Sequence, residues 1–463
     1  MAAAQKDRVM RHEGEDALGS IPRVLLVGAG CTGALTAALL RRGALREDNA
    51  HRLTVWEWGR GPAGRMSSFW KEVGGERVLA DVGAQVISLR DGANLPDWIE
   101  PLVVDASESG LATTDERQRA WHHFHAPAGM SSIQRASLDD AQPDELHFNR
   151  RLLELMPGSS RHWRAGYSGQ HGSRRPAGRE EFDIVVFAGT AADAGGNEGI
   201  RNVLASEQQQ ALRAVRYDHR VCIALVLKQD LAVLLDKLCN GNAEAAPDDD
   251  IISLVARQDV KGRNHAAAGA CAVTLHSTLA FAKRNLQLSK EQNKPPTLTG
   301  SQQLLKSFAN LLQIPLPQLH GLVLDSKVVH WRQCQVNRPF VGNAVSEGCL
   351  VAAKDPSLIL AGDYLAGAEL AGSFEGCLVS ARAAAAMVTS MLSSDTMAPN
   401  RGLQGRLSRR KTPPQIADDA GVQASSEQRV QWSQGDAYRS GIDADLATGS
   451  QATRRRRWQR AAT

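Results

Sequence analysis

Residues 23–42 read RVLLVGAGCTGALTAALLRR, and the rest of the chain is interpreted outward from them. Arg23 to Val27 is a short apolar run closed by glycine, the pattern of a parallel strand buried on both faces. Gly28-Ala-Gly30-Cys-Thr-Gly33 follows at once and opens a helix expected over Ala34 to Arg42. Gly28 permits the tight turn and Gly30 lets the backbone approach a pyrophosphate. Gly33 lets helix and strand pack closely, and the helix N-terminus offers free N–H groups to the phosphates. A second apolar run, Leu53 to Glu57, ends in an acid 24 residues after Gly33, where a carboxylate can accept both ribose hydroxyls. A lone G-x-G-x-x-G is weak evidence; strand, helix and acid together make a dinucleotide signature. The acid favours an unphosphorylated ribose, so FAD or NAD rather than NADP.

Features further along favour FAD. Gly64-Arg65-Met66-Ser-Ser comes soon after Glu57, then Asp81-Val-Gly83-Ala84-Gln85. Phe182 to Ala188 and Leu358 to Ala361 read as two more buried parallel strands, and the second leads into Gly362-Asp363. Gly372-Ser-Phe374-Glu-Gly376 then opens an Ala-rich helix whose N-terminus can face the far end of a long cofactor. Asp363 can accept bonds from ribityl hydroxyls and Arg65 can neutralise a diphosphate, whereas NAD has no ribityl chain to hold. The alternating runs Val221 to Leu227 and Ala272 to His276 read as antiparallel strands of a separate sheet. The polar stretches Asn240 to Asp250 and Leu288 to Ser301 are expected to be surface loops.

VLLVGAGCTGALTAALLRR, GRMSS, ADVGAQ, HAPAGMSSI, FDIVVFA, HWRQCQV and LAGDYLAG with SFEGCLVSA, spread over residues 23–388, resemble the renalase family of the flavin amine-oxidase superfamily. The resemblance implies a p-hydroxybenzoate-hydroxylase-type fold. Its activity would be oxidation of isomeric dihydronicotinamides, α-NAD(P)H or 6-dihydro-NAD(P), by hydride transfer to flavin N5, with O2 reduced to H2O2. Amine oxidation, a dehydrogenase using another acceptor, and a non-catalytic flavoprotein binding partner are the alternatives. FAD is expected to be held non-covalently. Its candidate contacts are Gly28, Gly30, Cys31, Thr32, Gly33, Glu57, Trp58, Gly64, Arg65, Met66, Gly83, Ala84, Gln85, Gly362, Asp363, Phe374 and Gly376. The resemblance places Trp331 and Arg332 near the substrate face of the flavin, as catalytic candidates. Trp331 serves equally as a slot wall or a core aromatic, and Arg332 as a phosphate partner or a surface arginine. Tyr364-Leu365 stands where the family more often has Gly-Phe, and residues 134–181 and 191–205 match poorly.

The expected fold class is α/β: a Rossmann-like FAD-binding domain (21–90, 161–206 and 335–393) with an interleaved antiparallel-sheet substrate domain (91–160 and 207–334). Residues 1–20 and 394–463 are expected to be disordered, the second because Pro, Ser, Gln, Asp and Arg dominate it. This tail holds 12 Lys+Arg against 7 Asp+Glu, so the formal charge of +4 belongs to it and the remainder is nearly neutral. Arg454 to Arg457 read as a solvated end, and no nucleic-acid partner is expected. The uncharged run Val24 to Leu40 belongs to the nucleotide motif, so no membrane span is expected. Seven cysteines without a C-x-x-C pattern argue against a disulfide framework and favour a reducing compartment, here the cytoplasm. His123 and His125 share one side of a strand but lack a third ligand, so no metal is expected. The expected partners are a small dihydronicotinamide and O2, acting on a monomer.

Overall fold

The computed structural model describes residues 21–43, 51–107, 120–158, 161–169, 175–263, 265–342, 345–346 and 348–393. Both ends expected to be disordered, including Arg454 to Arg457, lie outside the described residues.

The chain is a mixed α/β protein with a Rossmann-like sheet. That sheet has seven strands in the order β20 (Val345–Ser346), β21 (Cys349–Lys354), β22 (Ser357–Ala361), β12 (Ile184–Phe187), β1 (Arg23–Val27), β2 (Arg52–Trp56) and β8 (Glu145–His147). From β22 to β8 the neighbours are parallel; β21 and β20 are antiparallel additions at one edge. Its strands read as continuous apolar runs because both faces are covered. In β1, Val24 and Leu26 enter one core, Leu25 and Val27 the opposite one; β12 and β22 alternate in the same way. Each such fully buried side chain contributes roughly 1.5–3 kcal/mol by leaving water.

On one face lie two helices, α1 (Cys31–Arg42) and α5 (Phe374–Ser393), joined in one core through Ala34, Ala37, Ala384 and Ala385. These small side chains let the two helices approach closely. α5 is long and apolar enough to cross a membrane, yet ten of its residues are buried inside the protein. The other face packs against an antiparallel sheet, β11 (Gly178–Phe182), β10 (Trp163–Ser168) and β9 (Arg151–Pro157).

The second large sheet has the order β15 (Glu244–Ala245), β16 (Ile252–Arg257), β17 (Ala270–Ser277), β14 (Arg220–Lys228) and β18 (Val323–Trp331), all antiparallel. Val221, Ile223, Leu225 and Leu227 of β14 point to a core shared with Phe281 of α3 (Leu279–Glu291) and Phe308 of α4 (Pro296–Leu311). Cys222, Ala224 and Val226 point the other way, onto the hairpin of β3 (Ser68–Val73) and β4 (Glu76–Asp81). Two small sheets complete the strands: β5 (Ile87–Leu89), β7 (His122–His125) and β6 (Val104–Asp105), and the pair β13 (Arg216–Tyr217) with β19 (Val336–Arg338).

Three expectations change. Phe182 to Ala188 is not one strand. It breaks at Asp183, whose carboxylate accepts the backbone N–H of Arg23 at 2.6 Å, and so splits into the end of β11 and β12. Leu288 to Ser301 is not a loop: α3 runs to Glu291 and α4 starts at Pro296. Proline at the first helical position lacks only an N–H that would have had no partner anyway, so it starts a helix there. The expected domain limit near residue 160 also fails. β8 pairs with β2, β9 pairs with β10 across that limit, and Leu138 and Ala141 of α2 (Ser131–Ala141) share a core with α1. Residues 131–157 therefore go with the nucleotide sheet. Exposed β-edges there must pair or be covered, and β2 and β10 provide the pairing.

Candidate active site

The glycine loop has the geometry its sequence implies. Gly28 sits at φ +103° with its N–H donating to the Trp56 carbonyl, and a Cβ there would lie 3.1 Å from the Ala188 carbonyl oxygen. At Gly33 a Cβ would lie 1.9 Å from the Gly28 carbonyl oxygen, so a side chain would push helix and loop apart. A Cβ on Gly30 would meet nothing within 4 Å, which leaves open space beside the start of α1. That first turn (Cys31, Thr32, Gly33) has no acidic residue and no capping side chain, so its N–H groups are available to an anion.

Glu57 lies at the end of β2 and holds the loop. Its Oε2 accepts from Ala29 N–H at 2.7 Å and its Oε1 from Gly59 N–H at 2.6 Å. Burial raises its pKa, and the two N–H donors work against that. Trp58, next along, is 47% exposed and stacks under the Arg151 guanidinium, 4.4 Å from the ring centroid.

The Gly64–Met66 turn presents Arg65. Gly83 must be glycine here, since a Cβ would lie 1.9 Å from the Arg65 carbonyl oxygen; that oxygen accepts the Ala84 N–H at 3.0 Å. The Arg65 guanidinium forms a two-pronged bond with Asp363, Nη1 to Oδ2 at 2.7 Å and Nη2 to Oδ1 at 2.9 Å, and Nη1 also donates to the Cys334 carbonyl. Sequence reasoning gave these two side chains separate roles. The structure joins them across 298 residues, so the Gly64 turn is bolted to the end of β22. Burial works against the Arg65 charge, but Asp363 outweighs it and raises the pKa. Asp363 follows Gly362, whose N–H donates to Ser380 Oγ of α5, and a Cβ on Gly362 would lie 2.5 Å from the Tyr364 ring. Tyr364 is fully buried in place of a small residue.

At the start of α5, Phe374 is core and Gly376 packs so tightly that a Cβ would lie 2.2 Å from the Leu370 carbonyl oxygen. Glu375, one residue earlier, is bound by Arg90 through its backbone N–H, Nε and Nη2. Cys377 touches Cys31 across the helix pair, and that hydrogen bond with burial raises the Cys31 pKa well above its ordinary value. Cys31 is thus a half-buried helix-start thiol paired with α5. Neither thiol pair nor Arg90–Glu375 was foreseeable, because each joins positions hundreds of residues apart.

Four further candidates occupy settings that the sequence did not reveal. Met66 is buried and its Sδ accepts from Gln134 Nε2 at 2.8 Å. The Gln85 amide is consumed by the protein: Nε2 donates to the Asp81 and Gly83 carbonyls, while Oε1 accepts from Lys261 Nζ and Gln258 Nε2. Trp331 and Arg332 part company. Trp331 packs beside Cys222 and Val78 on the β4 side of the second sheet, whereas Arg332 lines an exposed cleft with Lys290, Lys294 and Pro296. Trp331 is the last residue of β18 and Arg332 lies in the bend beyond it, where the chain leaves the sheet.

Beside the Gly83 loop lies an internal charge cluster that the sequence did not reveal. Asp81 and Lys261 are fully buried and Arg263 nearly so. Asp81 Oδ2 accepts from Arg263 Nη2 at 2.7 Å and Lys261 Nζ at 3.2 Å; Oδ1 accepts from Ser68 Oγ and Met130 N–H. Burial alone would raise the Asp81 pKa, but the two cations bring it to about 2. Burial, aided by Arg263, lowers Lys261 to about 8.

Two sequence profiles match this chain: an NAD(P)-binding Rossmann-like domain over residues 26–102, and flavin-containing amine oxidoreductase over residues 104–389. The chain belongs to the flavin-containing amine oxidoreductase family. It is renalase-like within that superfamily, being 25% identical to mouse (Mus musculus) renalase over 373 residues, 78% of this chain and 96% of the relative. A crystal structure of an Exiguobacterium sp. 255-15 protein assigned as a protoporphyrinogen oxidase is similar in fold, with a TM-score of 0.50 at 11% identity. The match covers 80% of this chain and 99% of that one. This amine oxidoreductase is thus an oxidoreductase with a flavin cofactor, and the open glycine loop, the uncapped α1 N-terminus and the Arg65–Asp363 pair fit such a group.

Proposed function

We propose that this chain is an FAD-dependent oxidase of renalase type. It takes a hydride from an isomeric dihydronicotinamide, α-NAD(P)H or 6-dihydro-NAD(P), and passes two electrons to O2 to give H2O2. The carrying observation is that the Gly64–Met66 turn lies against the glycine loop, Ala63 N–H donating to the Ala29 carbonyl at 3.1 Å, while Arg65 reaches Asp363, so groups suited to both ends of a dinucleotide are brought together. Gly28 to Gly33 and Glu57 suit an adenosine diphosphate, a half that a mononucleotide flavin would leave unused. Asp363, held by Arg65, and the start of α5 suit the ribityl and ring end. The likeness to mouse renalase along nearly all of that protein supports the substrate class.

Bound FAD supplies the electron-accepting N5 position, and the chain supplies position and field. The α1 N–H groups and Arg65 would hold the diphosphate charge. Asp363 retains acceptor capacity beyond its two bonds to Arg65 and can hold ribityl hydroxyls. The positive end of α5 favours negative charge on a reduced ring, and Arg90 offsets the Glu375 carboxylate that would otherwise oppose it. Trp331, half-buried, offers an aromatic wall. Hydride transfer needs little acid–base help, so alignment of two rings is the main demand. The small-molecule reductant and O2 are the only partners this chemistry requires, and a cytoplasmic monomer suffices.

The test is anaerobic mixing of the purified flavoprotein with candidate reductants while following the oxidised flavin band. Bleaching by the isomeric dihydronicotinamides and not by amines is the expected result. Bleaching by amines alone would overturn it in favour of an amine oxidase, the reading the family description supports next. Protein purified without flavin would sink both.

A further inference from the structure

Outside the flavin candidates, a cleft of about 260 Å³ opens between the β3–β4 hairpin, the start of α2 and the segment around Gly262. Arg77, Arg135, Arg263, Trp70 and His265 line it, and no carboxylate does. Arg263 is already neutralised by Asp81. The other two guanidiniums are not. Arg77 lies over the Trp70 ring at 4.4 Å from its centroid, and neither Arg77 nor Arg135 has an ion pair among the described residues. Burial and the nearby charge of Arg77 both lower the Arg135 pKa, and Asp139 opposes them only in part. Two cations therefore face each other across a partly buried space.

His265 also lines the cleft. It is 2% exposed, and its Nε2 accepts the backbone N–H of Leu79 at 3.1 Å. With Nε2 accepting, the ring proton must sit on Nδ1. Nδ1 is buried and has no hydrogen-bond partner. Burial first, then Arg263, holds the ring pKa near about 4, so at neutral pH His265 is an uncharged donor with its one proton unplaced. A buried N–H without an acceptor is costly, and the half-buried Arg135 is disfavoured by the like charge of Arg77.

We propose that this cleft binds a phosphate-bearing small molecule, whose oxygens accept from the Arg77 and Arg135 guanidiniums. One oxyanion can bridge both guanidiniums, and two cations match a phosphate dianion better than a single carboxylate. No residue lining the cleft is among the flavin candidates, so the site stands whatever the reductant proves to be.

The experiment is calorimetric titration of the flavin-loaded protein at constant ionic strength in chloride, with inorganic phosphate in one arm and adenosine 5′-monophosphate in the other. Saturable one-site binding is expected, weakened at least about tenfold by Arg135→Gln and by Arg77→Gln, both partly exposed positions where a folded variant is expected. Arg179→Gln, on β11 and ion-paired to Glu154, should bind as the parent does. Tighter binding of the monophosphate identifies an esterified ligand, and equal or tighter binding of inorganic phosphate identifies the free ion; either supports the site. Absence of saturable heat in both arms, or binding that neither substitution weakens, would overturn it.

Discussion

The glycine loop around Gly28 and the cluster around Asp81 both place charge inside the protein, and they satisfy it differently. In the loop, Glu57 is met by two backbone N–H groups from residues close to the nucleotide motif, Ala29 and Gly59. In the cluster, Asp81 is met by Lys261 and Arg263, about 180 residues away. Local backbone can be supplied by a short motif. Remote cations need the second sheet to be folded against the β3–β4 hairpin first. The first arrangement is therefore set within the motif itself, and the second ties the hairpin to the second sheet. A buried charge with a missing partner costs several kcal/mol, so the cluster should be the more fragile of the two.

The largest expected effect follows from that difference. Asp81→Asn leaves Lys261 and Arg263 buried without their counter-charge and should destabilise by about 3–5 kcal/mol in urea unfolding. A loss below about 1 kcal/mol would place the cluster on a par with the loop. Acid titration tests the same group. The folded pKa of Asp81 is about 2, below its ordinary 3.8, so its contribution is complete above about pH 4 and is lost as pH falls towards 2. Across that window the parent should lose about 2 kcal/mol that Asp81→Asn does not lose. Equal acid slopes would refute the assignment.

Glu57→Ala should act on the ligand rather than on the fold. It leaves the Ala29 and Gly59 N–H groups without their acceptor, costing about 1–3 kcal/mol, and the purified protein should carry little flavin by its absorbance ratio. Full occupancy would show that the loop does not need the acid. The smallest effect is expected at Arg332, which lines the cleft beside Lys290 and not the Gly83 side of the sheet. Arg332→Ala should change flavin reduction by less than about twofold; a tenfold loss would return Arg332 to the active site.

Much of the fold was legible because its cues are local. Strands β1, β2 and β22 are short apolar runs, and both-face burial makes such runs recognisable. The glycines of the nucleotide loop were legible for the same reason, since each answers to a clash within a few residues or with the adjoining strand. The Pro295-Pro296 stretch misled because proline both ends loops and starts helices, and neighbouring packing chose the helix. The limit at residue 160 failed because β-pairing across it is a property of the register between β9 and β10, with no mark in composition.

By itself, then, the amino-acid order determined the dinucleotide loop, the parallel sheet and the membership of a flavin-dependent class, through glycine placement and apolar runs acting over short distances. Only the tertiary structure decided that Arg65 grips Asp363, that Gln85 serves Lys261, that Trp331 and Arg332 face opposite sides, and that His265 keeps a proton without an acceptor. The physical reason is the range of the interaction. Steric limits on the backbone are set by near neighbours, while a charge or hydrogen bond in the interior is settled by whatever the fold brings within about 3 Å of it.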